Sequence, residues 1–217
     1  MKFTFKATIL FAVWIVWSPV IRADSLQIFE FNPNMPIPDI DVIEIDFLVE
    51  PDLSCPIIRD INVGLLIPHT WQGNLKLNLT HLRTGVSTSL FDQPGVPQTT
   101  FGFSADNYGN SMTGELFFLD DEATEFYDTQ PLGSVSPPGI ENVTGSWLPE
   151  GDLSLFDGIN ASGIWRLRIE DFGGGDVGTL ETFSLHITTS AIPEPCFMMA
   201  FSISIALLAA QRRRVSV

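Results

Sequence analysis

The side chains in this sequence best equipped for chemistry are carboxylates. Asp120-Asp121-Glu122 is a dense acidic run, and Asp157, Asp171 and Asp176 stand in loop-like stretches beside glycines or Asn160. Hard divalent cations such as Ca²⁺ take six to eight oxygens from flexible acidic loops and backbone carbonyls. Asp120, Asp121, Asp157, Asp171 and Asp176 are therefore expected either to ligate calcium or to form a solvated acidic rim. No segment follows the Asp-x-Asp-x-Asp-Gly order of an EF-hand loop. Paired carboxylates also suit glycoside hydrolysis, but a chain with 26 acids produces such pairs by chance. No cofactor other than calcium is expected.

The nucleophile candidates are weaker. Gly109-Asn110-Ser111-Met112 echoes the turn that carries the serine nucleophile of subtilases. That turn needs a helix and a proline after it, and an Asp block and a His block before it in an α/β sheet. Here Thr113-Gly114 follows and no such blocks precede, so Ser111 is not expected to act and no catalytic residue is assigned. His69 ends a strand-like run and could act as a base, as a metal ligand, or by bonding the backbone to fix the turn that follows. The alternation of the neighbouring residues is read as placing His81 and His186 toward solvent, and neither has partners at zinc-type spacing. Trp71, Trp147 and Trp165 raise the prospect of a sugar-stacking face, with Trp165 on a core-facing strand and better suited to packing.

The elements that must position these groups are strands. Ile43, Ile45, Phe47 and Val49 alternate with Glu44 and Asp46, and Ile61, Val63, Leu65 and Ile67 alternate with Asn62 and Gly64. The same period of two returns at Leu75/Leu77/Leu79, Trp165/Leu167/Ile169 and Phe183/Leu185/Ile187, and no long 3.6-residue period competes with it. Turn chemistry separates the runs at 72–74, 93–95, 107–110, 137–139 and 173–176. Short strands at that spacing predict an all-β, jelly-roll-like antiparallel β-sandwich. Its expected extent is residues 36–188, with a short arm over 24–35 and a linker over 189–192.

Both ends of the 217-residue chain read as addresses. Lys2 and Lys6 precede an apolar run over 7–21, and Ala23 offers a small residue before Asp24. This is the order of a secretory signal peptide over residues 1–23, cut between Ala23 and Asp24. At the other end Pro193-Glu194-Pro195 precedes an apolar stretch over 196–210 and then Arg212-Arg213-Arg214. Residues 193–217 resemble the PEP-CTERM sorting signal of bacterial exported proteins. That resemblance implies transient membrane contact through the tail, processing by an exosortase, and delivery to the cell surface or extracellular matrix. Between the two addresses, five basic residues face 25 acidic ones, a formal charge of −20. Such a surface repels phosphate backbones, which excludes nucleic acid as a partner. Cys55 and Cys196 allow at most one bridge, and with Cys196 in the tail Cys55 reads as a lone thiol.

Two blocks carry a second resemblance. The run from Ile61 through His69-Thr70-Trp71 to Leu79 resembles the first half of the P domain (Homo B domain) of furin-like and kexin-like proprotein convertases. Gly163-Ile164-Trp165, a strand, Asp171, the turn Gly175-Asp176-Val177-Gly178 and a closing strand to Leu185 follow the order of its second half. Three departures stand out: Asn74 where an Asp is usual, Phe183 where a Trp is usual, and a longer insertion over 101–150. The resemblance implies a jelly-roll β-sandwich, and the longer insertion, as a departure from it, leaves open whether those loops serve their own ligand. The expected function is a non-catalytic exported module, acting in binding or stabilisation on an unknown protein or polysaccharide partner. The alternatives are an accessory domain of a subtilisin-like serine endopeptidase and a carbohydrate-binding matrix module.

Overall fold

The computed structural model describes residues 24–51, 56–129 and 139–191. Cys55, Cys196, Ala23 and the signal and sorting segments lie outside them. No helix among the described residues is long and apolar enough to cross a membrane.

Among the described residues, eleven strands and three single-turn 3₁₀ segments follow one another: β1 (Ser25–Phe31), β2 (Met35–Ile37), β3 (Val42–Val49), β4 (Pro56–Leu66), β5 (Leu75–His81), β6 (Val86–Asp92), β7 (Phe117–Leu119), β8 (Gly145–Trp147), β9 (Gly163–Asp171), β10 (Gly178–Leu180) and β11 (Thr182–Ala191). A five-stranded sheet in the order β1-β11-β4-β7-β8 faces a four-stranded sheet in the order β3-β9-β5-β6, and β10 pairs with β2 beside them. The fold is the expected all-β sandwich. Pairing is antiparallel except for β7 with β8, which run parallel.

The period-two pattern decides which face of each strand is buried. Val63, Leu65, Leu75, Leu77, Leu79, Leu167, Ile169, Leu185 and Ile187 are all within 1% of full burial. Trp165 lies among them between the rings of Phe156 and His81, with centroids 4.9 and 4.8 Å away. Its indole N–H donates to the Ala161 carbonyl at 2.9 Å.

Two boundaries differ from the sequence reading. The segment taken as an arm contains β1, which pairs with β11 from Ser25↔Thr189 to Phe31↔Phe183. Leu26 and Ile28 face outward while Phe29 and Phe31 pack on the core, so apolar residues on both faces blur the alternation there. Residues 189–191 of the expected linker likewise belong to β11, which runs to Ala191. The described parts of the 101–150 insertion contribute to the core, with Phe103, Tyr108, Phe117, Leu119, Tyr127 and Val143 buried. Gln72 anchors the insertion, its amide donating to the carbonyls of Asp106, Asn107 and Ile140. Tyr108 donates to the Gln72 carbonyl and Tyr127 to its side-chain oxygen. Burial pushes both phenols above their ordinary range, so they remain neutral donors.

Candidate functional site

The five carboxylates named from sequence fall into two separate settings. Asp120, Asp121 and Asp157 share a neighbourhood with Asp60 on β4 and with Glu122. Burial and then the Asp120 charge raise the Asp60 carboxyl. Hydrogen bonding to Asp120, followed by burial, raises Glu122, and burial with the Asp60 and Asp121 charges raises Asp157. Asp60 was missed because it lies inside an apolar strand, where nothing local marks it. Asp121 has a structural duty, accepting from the N–H groups of Leu153 and Ser154 at 3.1 and 2.7 Å. It thereby satisfies the free donors of the 3₁₀ turn Leu153–Phe156. Among the described residues, no three His, Cys, Asp or Glu side chains are grouped to hold one metal ion.

Asp171 and Asp176 lie with the other loop set, and Asp171 is not a loop carboxylate at all. It is 3% exposed at the end of β9, where it accepts from the Gly173 N–H at 2.9 Å and faces His69 Nε2 at 3.4 Å. Both side chains of that pair are fully buried. His69 Nδ1 sits against the Trp71 backbone, 3.1 Å from its N–H and 2.9 Å from its carbonyl oxygen. Both ring nitrogens are thus engaged and neither faces a hydroxyl, so His69 pins the 69–71 turn. Ser111 stands in an exposed turn closed by the Gly114 N–H bond to the Asn110 carbonyl.

His81 is a correction. It is fully buried, because the odd-numbered series Leu75, Leu77, Leu79 that points inward continues to 81. Its Nε2 donates to the Ser162 carbonyl at 3.3 Å, and its Nδ1 meets the Thr84 hydroxyl at 2.9 Å. Burial lowers its pKa, so it serves as an uncharged core residue. His186 does lie on the outer face, half-covered by the Phe118 ring 4.8 Å away.

Two concavities have the features of binding sites. The first, about 250 Å³, has a floor of Leu90, Phe117, Leu119 and Tyr127 and a rim bearing Asp92, Asp128 and Glu150. Lys76 pairs with Asp92 there. The second, about 320 Å³, opens where the turns at 71–74, 93–101 and 172–176 meet, and is lined by Trp71, Phe101, Phe172, Asn74, Gln93 and Asp176.

No family model matches the chain. No curated protein matches it either. Among solved structures, the chain is similar to one from the complex of Aeromonas sobria serine protease (ASP) with the chaperone ORF2. The TM-score is 0.46 at 15% identity, covering 78% of this chain and 27% of the other. The serine protease of Aeromonas sobria solved without that partner gives a TM-score of 0.43 at 14% identity, over 77% and 27%. The chain thus spans about a quarter of the length of each.

Of the three tryptophans weighed as a sugar face, Trp165 is wholly buried. Trp147 stands against Tyr127, centroids 5.4 Å apart, and donates to the Thr144 carbonyl. Trp71 alone lines the second concavity. Its aromatic companions, Phe101 and Phe172, went unread because isolated phenylalanines in turn-rich sequence carry no periodic signal.

Proposed function

We propose that this chain is a non-catalytic, exported, P-domain-like module, sorted by an exosortase to the cell surface or matrix, where it binds a protein partner. The pocket between β6, β7 and the 126–128 and 148–150 segments carries this reading. Its apolar lining includes Phe126, 44% exposed, over the buried Leu90, Phe117, Leu119 and Tyr127, and it bears three carboxylates, of which Asp92 is paired with Lys76. An apolar anchor side chain with a basic neighbour matches both properties, since hot spots combine a desolvated pocket with complementary charge at the edge. The order of the sequence signals at the two termini supports export and sorting.

Two outcomes are expected. A photo-crosslinking residue at Leu148 should capture one discrete protein in the producing cell, whereas the same residue at Ile164, on the opposite sheet, should not. Glu150→Arg should abolish the adduct. A subtilisin-like endopeptidase as the captured species would make this chain its accessory domain. Equal labelling from both positions, or none from Leu148, would remove the pocket as an interface. Separately, intact-mass measurement of the exported protein should show an end near Pro193-Glu194-Pro195 and the loss of Arg212, Arg213 and Arg214. Retention of all three arginines would instead make the tail a plain anchor.

A further inference from the structure

The second concavity is built differently. Phe101 is 70% exposed and Phe172 47% exposed, and both border the same cleft as Trp71. Large aromatic faces gathered in a concavity mark a binding surface, because leaving them in water forgoes the favourable free energy of burial. The same cleft is lined by planar polar groups, the amides of Asn74 and Gln93 and the carboxylate of Asp176. A few placed polar groups in an aromatic cleft supply orientation while the rings supply contact area.

The arrangement is fixed before any ligand arrives. The Trp71 indole N–H donates to the Phe101 carbonyl at 2.7 Å, tying the two platforms together. Asn74 donates to one Asp176 oxygen at 2.7 Å, and the Thr70 hydroxyl donates to the other at 3.1 Å. Each carboxylate oxygen keeps a lone pair for a further donor. Glycine makes the approach of the loops possible: a Cβ on Gly73 would lie 2.5 Å from Gly102 Cα, and one on Gly173 would lie 1.8 Å from the Asn74 amide nitrogen. Such preorganisation lowers the ordering cost of binding.

We propose that this cleft binds an uncharged polysaccharide. Pyranose rings present weakly positive C–H faces to the negative faces of aromatic rings, and their neighbouring hydroxyls both donate and accept, as amides and carboxylates require. The −20 charge of residues 24–192 and Asp176 within the cleft select against uronic acid polymers and nucleic acids, which would also stack. The proposal does not rest on the protein-binding pocket, which shares the 92–94 loop with this cleft but no lining residue.

The test is affinity electrophoresis of the exported protein in gels holding mixed-linkage β-glucan, galactomannan or dextran, with alginate as the anionic counterpart. Retardation is expected in at least one neutral gel and not in alginate. Phe101→Ala and Trp71→Ala should each weaken it by about tenfold or more, the change that one lost contact of about 1.4 kcal/mol produces. Phe101→Ala keeps the backbone carbonyl that Trp71 uses, so an unchanged melting temperature separates lost binding from lost folding. Glu150→Arg should leave the retardation intact. Absence of retardation in every neutral gel would overturn the proposal, as would retardation surviving both variants or binding confined to alginate. Capture of a proline-rich peptide without any polysaccharide, the other occupant an aromatic cleft accommodates, would also overturn it.

Discussion

Replacing Asp171 or His69 with alanine should cost about 1–3 kcal/mol of folding stability, the range for leaving a buried hydrogen-bonding group without its partner. Asp171→Ala strands the Gly173 N–H and the His69 imidazole, while His69→Ala leaves a carboxylate facing apolar surroundings with one backbone partner. The pair joins the end of β9 to the 69–71 turn, and that turn carries Trp71 and leads into Gln72, which anchors the 101–150 segment. A local loss therefore spreads to the core. Asp171→Asn, whose single oxygen can still accept from Gly173 while its NH₂ donates to Nε2 of the other imidazole tautomer, should lose less. Urea denaturation with an unchanged m value is the measurement. A loss below about 1 kcal/mol for both alanine variants would fall in the range of an ordinary surface contact and would mean that the pair does not hold the turn.

Trp165→Ala is the second large effect, expected at about 3–5 kcal/mol because a buried indole leaves a cavity that the surrounding sheet cannot close. In a domain of this size each kcal/mol moves the melting temperature by about 2–4 °C, so the drop is roughly 6 to 20 °C. Trp165→Phe should recover part of it by refilling the space between Phe156 and His81. His81 adds a pH dependence with a definite sign. Its folded-state pKa lies below the ordinary 6.5, so the unfolded chain binds the proton more readily. Its contribution is present above about pH 6.5 and is lost as the pH falls through the folded-state value. His81→Gln should flatten that limb of the melting profile, and an unaltered limb would assign it to other groups.

The sequence alone determined the strands that are polar on one side and apolar on the other, since a period of two leaves a single way to bury the apolar face. It located β3, β4, β5, β9 and β11 and the packing role of Trp165. Tertiary structure decided what no local pattern encodes. Phe29 and Phe31 became core only because β1 pairs with β11, and the described parts of the 101–150 segment became core because Gln72 and the aromatic residues packed around it bind it from elsewhere in the chain. Asp120 and Asp171 look alike in sequence, yet β9 drives the second into the interior beside His69, while the first stays beside Asp60, some sixty residues earlier. Trp71, Phe101 and Phe172 are isolated aromatics in three different turns. Only the close approach of Gly73 to Gly102, and of Gly173 to Asn74, gathers them into one cleft, because convergence of loops depends on long-range backbone contacts that sequence spacing does not carry.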